Sequence, residues 1–264
     1  MSLTEQVPVA GGVHIGSSAA AAGRAAGERA ATALREVLRR KSRARVIFAS
    51  APSQDACVRT LAAAPDIDWS RVQSMHLDEY RGIEEANPAA FGQWLADRLP
   101  APAQAGLDRI SPHGTSDDEV SRYTDLLTAG PIDLICLGIG VNGHIAFNEP
   151  GDTDFRSTIL VREVALTHAS RKQQVDEGLF PGLDEVPTHA LSLTVPAILR
   201  GDALVVTVLG PAKAASVASA LTGPVTPDLP ASALRTHQDV AVFLDEHAAA
   251  ALPADLRTSR IENG

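Results

Sequence analysis

Residues 137–151, LGIGVNGHIAFNEPG, concentrate more acid–base chemistry than any other stretch of this chain. Asn142, His144, Asn148 and Glu149 follow Gly138 and Gly140 directly after the apolar run 132–137. Glycines let a backbone turn sharply and approach a ligand. Imidazole is the side chain best suited to passing protons near neutral pH, and a nearby carboxylate such as Glu149 can orient it. A single histidine is more often a satisfied structural residue. Polar groups gathered in one glycine turn favour chemistry instead. A second carboxylate, Asp78, ends another apolar run in the sequence Asp78-Glu79-Tyr80. Alone it reads as a turn or cap residue. Beside the His144 loop it is a candidate general base.

Other residues have the makings of an anion site. Ser50 and Ser53, with Gln54, join a strand to a helix, where hydroxyls and backbone N–H groups bind anions as readily as they cap. Lys213 stands at a helix start, where a cation opposes the helix dipole and so invites an anionic partner. Arg171-Lys172 reads by default as a solvated basic pair. Ser50, Ser53, Arg171 and Lys213 together are able to clamp a phosphate. No second histidine lies at ligand spacing from His144 and no cysteine is near it, so no metal is expected. Gly138-Ile-Gly140 lacks the third glycine and acidic residue of a dinucleotide fingerprint, and a phosphate-binding P-loop is absent, so no cofactor is expected either.

These groups need strands that end near one another. Apolar runs at 13–15, 45–50, 72–77, 132–137, 190–195, 203–209 and 240–244 read as strands, with a further strand near 160–166. Between them lie helical patterns, notably an Ala-rich helix capped by Ser17 or Ser18 and reaching about Lys41. Others run to about Ala64, from Pro88 to about Leu99, over 117–127, and from Gly210-Pro211 to about Leu221. Pro196 opens a short helix. Continuous apolar strands suit a sheet covered on both faces, with parallel strands and crossover helices. The expected fold is therefore α/β, a Rossmann-like three-layer α/β/α arrangement with a mostly parallel, doubly wound sheet, in one domain over 1–264 with 1–12 as a lead-in. Ligands bind such sheets at the carboxyl ends of the strands. The polar loops after residues 50, 77, 137 and 209 would then meet at one crevice.

A net charge of −9 argues against a general nucleic-acid surface. The two cysteines, Cys57 and Cys136, are far apart in apolar contexts and read as buried thiols. No apolar run approaches the ~20 residues that span a membrane, and the start lacks a signal-peptide plan, so a cytoplasmic location is expected.

Asp78-Glu-Tyr, the loop 140–150, the segment 186–195 and Leu209-Gly-Pro-Ala-Lys-Ala214 resemble, in order and spacing, the glucosamine-6-phosphate deaminase/isomerase family over roughly residues 13–245. The resemblance implies conversion of an amino-sugar 6-phosphate to a ketose 6-phosphate plus ammonia, without a metal. It implies that His144 moves a proton at the ring oxygen, Asp78 moves one between C2 and C1, and Glu149 supports His144. Arg171 and Lys213 resemble the phosphate ligands, with Ser50, Ser53, Gln54 and Gly143 as further substrate contacts. Two departures stand out. Many members carry Asp at Asn142, and a neutral amide cannot share charge with His144, so the choice between glucosamine and galactosamine epimers stays open. Ser50-Ala-Pro-Ser-Gln replaces a Thr-Gly-Gly-Thr type loop. The partners implied are a sugar-phosphate substrate, no nucleic acid and no membrane; a homo-oligomer is left open. A 6-phosphogluconolactonase shares such a fold but favours Arg at the place of Tyr80 and lacks the Phe-Asn-Glu-Pro ending at 147–150. A sugar-phosphate sensor domain should carry a helix-turn-helix, and none is evident.

Overall fold

The computed structural model describes residues 9–257 and Ile261. Among the described residues are ten strands: β1 (Val13–Gly16), β2 (Ala44–Phe48), β3 (Val72–His76), β4 (Asp78–Tyr80), β5 (Leu107–Asp108), β6 (Leu134–Leu137), β7 (Val161–Ala165), β8 (His189–Leu193), β9 (Ala203–Val208) and β10 (Val240–Asp245). Eight α-helices accompany them: α1 (Ala19–Arg40), α2 (Asp55–Ala62), α3 (Phe91–Ala96), α4 (Ala101–Gln104), α5 (Ser116–Thr128), α6 (His168–Asp176), α7 (Val195–Ile198) and α8 (Ala214–Thr222). Ser18 caps α1, its hydroxyl accepting from Ala21 N at 3.2 Å.

Seven strands form one sheet in the order β1-β10-β9-β6-β2-β3-β5, and every pairing in it is parallel. Side chains alternate between its faces. Val46, Phe48, Leu134, Cys136, Val205 and Phe243 pack with α1 and α2. Ile47, Ile135, Leu137, Val206 and Val242 pack on the other face with α5 and α8. Both faces are dry, which is why these strands read as unbroken apolar runs. Cys57 and Cys136 are free and buried. Among the described residues no helix is long and apolar enough to cross a membrane.

Three features differ from the sequence expectation. The run 72–77 does not carry Asp78 on its own strand. The chain leaves the large sheet at Leu77, and Asp78 opens β4 of a separate antiparallel sheet, β4-β8-β7. The strand expected at 190–195 likewise belongs to that small sheet. Finally, of the expected lead-in, residues 1–8 lie outside the described residues, while 9–12 are tied down: Gly11 N donates to Val240 O at 2.7 Å and Val242 N to Gly12 O at 3.0 Å.

Strand order reverses between β2 and β6, whose carboxyl ends therefore diverge into a crevice. The Ser50 loop leaves β2 and the His144 loop leaves β6. β3 and β9, on the outer sides of that pair, deliver Asp78 and Lys213.

Candidate active site

At this crevice a cleft of about 580 Å³ is lined by Ser50, Ser53 and Gln54, by Asp78, by Gly138, Gly140 and His144, and by Lys213. Four segments far apart in sequence thus share one wall. α6 closes a further side with Gln173, Gln174 and Glu177.

His144 is 8% exposed, and its ring lies flat against Gly140, where a Cβ would come within 2.2 Å of the imidazole. Only glycine leaves room for the ring. Behind it a relay is closed on all sides. His144 Nδ1 lies 2.8 Å from Asn142 Oδ1 and 3.3 Å from Glu149 Oε1. Asn142 Nδ2 donates to Glu149 Oε2 at 2.6 Å, and the Ser170 hydroxyl donates to Glu149 Oε1. An ionised carboxylate only accepts, so the Asn142 amino group must face Glu149 and its carbonyl must face His144. Nδ1 therefore carries a proton, and Nε2 is left as the acceptor at the cleft. Burial alone would raise the Glu149 carboxyl, but the bonds and charge of His144, with those of Ser170 and Asn142, outweigh it and hold the group down at about 2. Glu149 is thus a fixed negative charge. Asn142 and Glu149 stand one layer behind the lining, and Gly143, at φ +86°, shapes the turn rather than facing the cleft.

Asp78 meets the opposite conditions. It is 6% exposed, and burial followed by the like charge of Glu79 pushes its carboxyl up to about 8. Burial also pushes Glu79 up, to about 7, against three backbone N–H donors, Tyr80 at 3.0 Å, Phe91 at 3.0 Å and Gly92 at 2.8 Å. Those bonds make Glu79 the anchor of the start of α3. The Asp78 backbone is fixed from His76, which is fully buried and held neutral, down at about 4, by that burial. Ile110 N donates to His76 Nε2 at 2.9 Å, so the other nitrogen, Nδ1, carries the proton and donates to Asp78 O at 2.7 Å.

Lys213 ends a 3₁₀ turn (Pro211–Lys213) leading into α8. It is 9% exposed, and its ammonium lies 3.4 Å from Glu177 Oε1. Burial lowers its pKa, with Glu177 opposing. The preceding Gly210 N donates to both oxygens of Asp245 at 3.1 Å, which fixes the loop to the end of β10. Opposite, the Ser50 hydroxyl donates to Phe91 O at 2.9 Å, leaving its lone pairs to the cleft. Gln54 is fully buried and donates to Thr207 O at 3.0 Å, so it braces the loop against β9. Arg171 does not reach the cleft lining. Its Nη2 donates to Leu183 O at 2.6 Å and Val186 O at 3.0 Å, clasping the segment after α6. Among the described residues no cluster of side chains has metal-ligating composition.

The model of the family described as glucosamine-6-phosphate isomerases/6-phosphogluconolactonase matches residues 17–243. The chain belongs to this family. It is 37% identical over 190 residues to a glucosamine-6-phosphate deaminase of Listeria welshimeri, covering 71% of this chain and 79% of that one. A glucosamine-6-phosphate deaminase of Lactobacillus johnsonii is 39% identical over 195 residues, covering 73% and 79%. In structure the chain is similar to a monomeric glucosamine-6-phosphate deaminase, with a TM-score of 0.81, 28% identity, and coverage of 90% of this chain and 99% of that one. A 6-phosphogluconolactonase of Trypanosoma brucei, at a TM-score of 0.74, 15% identity and coverage of 92% and 98%, shares the fold.

Several residues of this family member escaped sequence reasoning. His76 and Glu79 sit beside Asp78 but looked like ordinary neighbours. Ser170, Gln174 and Glu177 lay in a segment with no apolar period, so α6 itself went unseen. Their spacing of four and then three is a polar stripe on one helix face, the one signal that was available.

Proposed function

We propose that the protein is a glucosamine-6-phosphate deaminase, converting glucosamine 6-phosphate and water to fructose 6-phosphate and ammonia. The observation that carries this most directly is the pairing of a proton-poor Nε2 on His144 with a buried, proton-retaining Asp78 across one cleft that ends in a lysine. Support comes also from the named relatives.

Lys213 and the 49–53 loop hold the phosphate, far from the reacting carbons, so its binding positions the sugar. His144 takes the proton from the C1 hydroxyl and returns one to the ring oxygen, opening the ring. Its Nδ1–H stays on Asn142, with Glu149 stabilising the imidazolium that forms. Asp78 then removes the C2 proton and delivers a proton to C1 through an enolamine. Water adds to the resulting C2 imine and ammonia departs. Before substrate binds, Asp78 holds its proton near neutral pH. A substrate ammonium placed beside it favours the carboxylate, so substrate binding itself charges the base. The protein acts in the cytoplasm and takes a sugar phosphate as its partner.

Purified protein given glucosamine 6-phosphate should release ammonia and form fructose 6-phosphate. Hydrolysis of 6-phosphogluconolactone with no ammonia from any amino-sugar phosphate would overturn the proposal. Tyr80 stands where such a lactonase favours arginine, and its ring is fully buried among Phe91, Phe147 and Phe180.

A further inference from the structure

Gln173 and Gln174 of α6 and Glu177 at its end line the cleft, and only Gln174 has an uncommitted side chain among the described residues. Gln173 Nε2 donates to Glu177 Oε1 at 2.8 Å, and Glu177 in turn meets Lys213. Gln174 is 6% exposed, and its side-chain amide makes no hydrogen bond to another described residue. Its polar atoms are not sealed from solvent and so stay open to an occupant of the cleft.

The position of Gln174 on the helix says which part of an occupant it meets. One turn earlier, Ser170 donates to Glu149 behind His144. Three residues later, Glu177 faces Lys213. At 1.5 Å rise per residue Gln174 stands between the proton-transfer end and the anion end. On the proposed function, C1 and C2 lie at the first end and the phosphate on C6 at the second. What lies between is C3, C4 and their hydroxyls. A carboxamide offers two donor hydrogens and an acceptor oxygen, the match for a hydroxyl that must both give and take a hydrogen bond.

We propose that Gln174 is a specificity-determining residue that binds the C3–C4 hydroxyl edge of the sugar and selects between C4 epimers. This rests on the deaminase function above. Glucosamine 6-phosphate and galactosamine 6-phosphate differ only at C4, so the epimer preference is read by this amide and not by the shared phosphate and amino ends. A pocket built to hydrogen-bond a hydroxyl discriminates strongly when the hydroxyl is misplaced, because the buried polar group is then left unpaired.

The test is kcat/KM for both epimers in wild type, Gln174→Leu and Gln174→Glu. In Gln174→Leu, kcat/KM should fall for glucosamine 6-phosphate and hardly change for galactosamine 6-phosphate, moving the ratio toward unity by about tenfold or more. Gln174→Glu keeps size and acceptors and should retain part of the preference. Equal losses on both sugars mean a structural role and would overturn the inference, as would an unchanged ratio. Inorganic phosphate should protect Gln174→Leu against thermal unfolding as it protects wild type, because Lys213 is untouched; loss of that protection would also count against a role confined to the hydroxyls. Wild type that releases no ammonia from either sugar removes the function and this inference with it, which separates the two failures.

Discussion

Asp78 and Glu149 are carboxylates at the same cleft, and their surroundings push them in opposite directions. Asp78 stands at the junction of two sheets, buried, with Glu79 beside it, and is raised to about 8. Glu149 is also buried, but the His144 ring lies 3.3 Å away and Ser170 and Asn142 donate hydrogen bonds to it, and it is held at about 2. The contrast separates burial from burial with donors. One group becomes able to move a proton and the other becomes a permanent charge, a division of labour common where two acids share a site. Neither environment comes from the large sheet alone. The sheet supplies loop ends, whereas β4 and α6 supply the surroundings.

The largest effects should come from removing the groups that move protons. Asp78→Asn and His144→Gln should each lower kcat by about a hundredfold to ten-thousandfold in an ammonia-release assay. Near-normal rates in either would break the assignment of roles. Glu149→Gln keeps the shape of the relay but not its charge and should lower kcat by about tenfold to a hundredfold, with KM little changed. Lys213→Ala should instead raise KM by about tenfold or more, while Arg171→Ala changes it only a few-fold, because Arg171 holds backbone carbonyls rather than the cleft. A larger KM effect at Arg171 would mean that α6 rearranges around the phosphate.

Stability should sharpen the same contrast with a smaller effect. The folded Asp78 keeps its proton up to about 8, against an ordinary aspartate value of 3.8, so its contribution to stability is lost as pH rises through that window. Asp78→Asn removes the loss and should unfold later than wild type in urea at pH 9, by about 0.5–2 kcal/mol, with little difference at pH 4. Glu149 has the reverse sign. Its folded value near 2 lies below the ordinary glutamate value of 4.5, so its stabilisation is present above 4.5 and lost as pH falls toward 2. Glu149→Gln should therefore destabilise the protein at neutral pH by about 1–3 kcal/mol and approach wild type only near pH 2.

Much of this was legible from residue types. Six of the apolar runs marked strands of the large sheet well, because a parallel sheet buried on both faces leaves no other composition open to them, while the run 190–195 belongs to the small antiparallel sheet. The rule that ligands bind at strand ends gathered Ser50, Asp78, His144 and Lys213 correctly in space. What escaped is instructive. β5 has two residues, too few to leave a pattern, and α6 is polar because it roofs the cleft instead of a core. Asp78 reads as a strand end, but only the antiparallel pairing of β4 with β8 reveals why it is buried. The charge state of each carboxylate was invisible, since it depends on donors from residues such as Ser170, distant in the chain.

The most direct test of the contrast is a carbon-13 NMR titration of side-chain carboxyl groups in protein labelled at Asp and Glu. One aspartate resonance should titrate with a midpoint near pH 8 and disappear in Asp78→Asn, while a glutamate resonance absent from Glu149→Gln should stay ionised down to about pH 2. An Asp78 signal that titrates near pH 4, or a Glu149 signal that takes up its proton there too, would contradict the account.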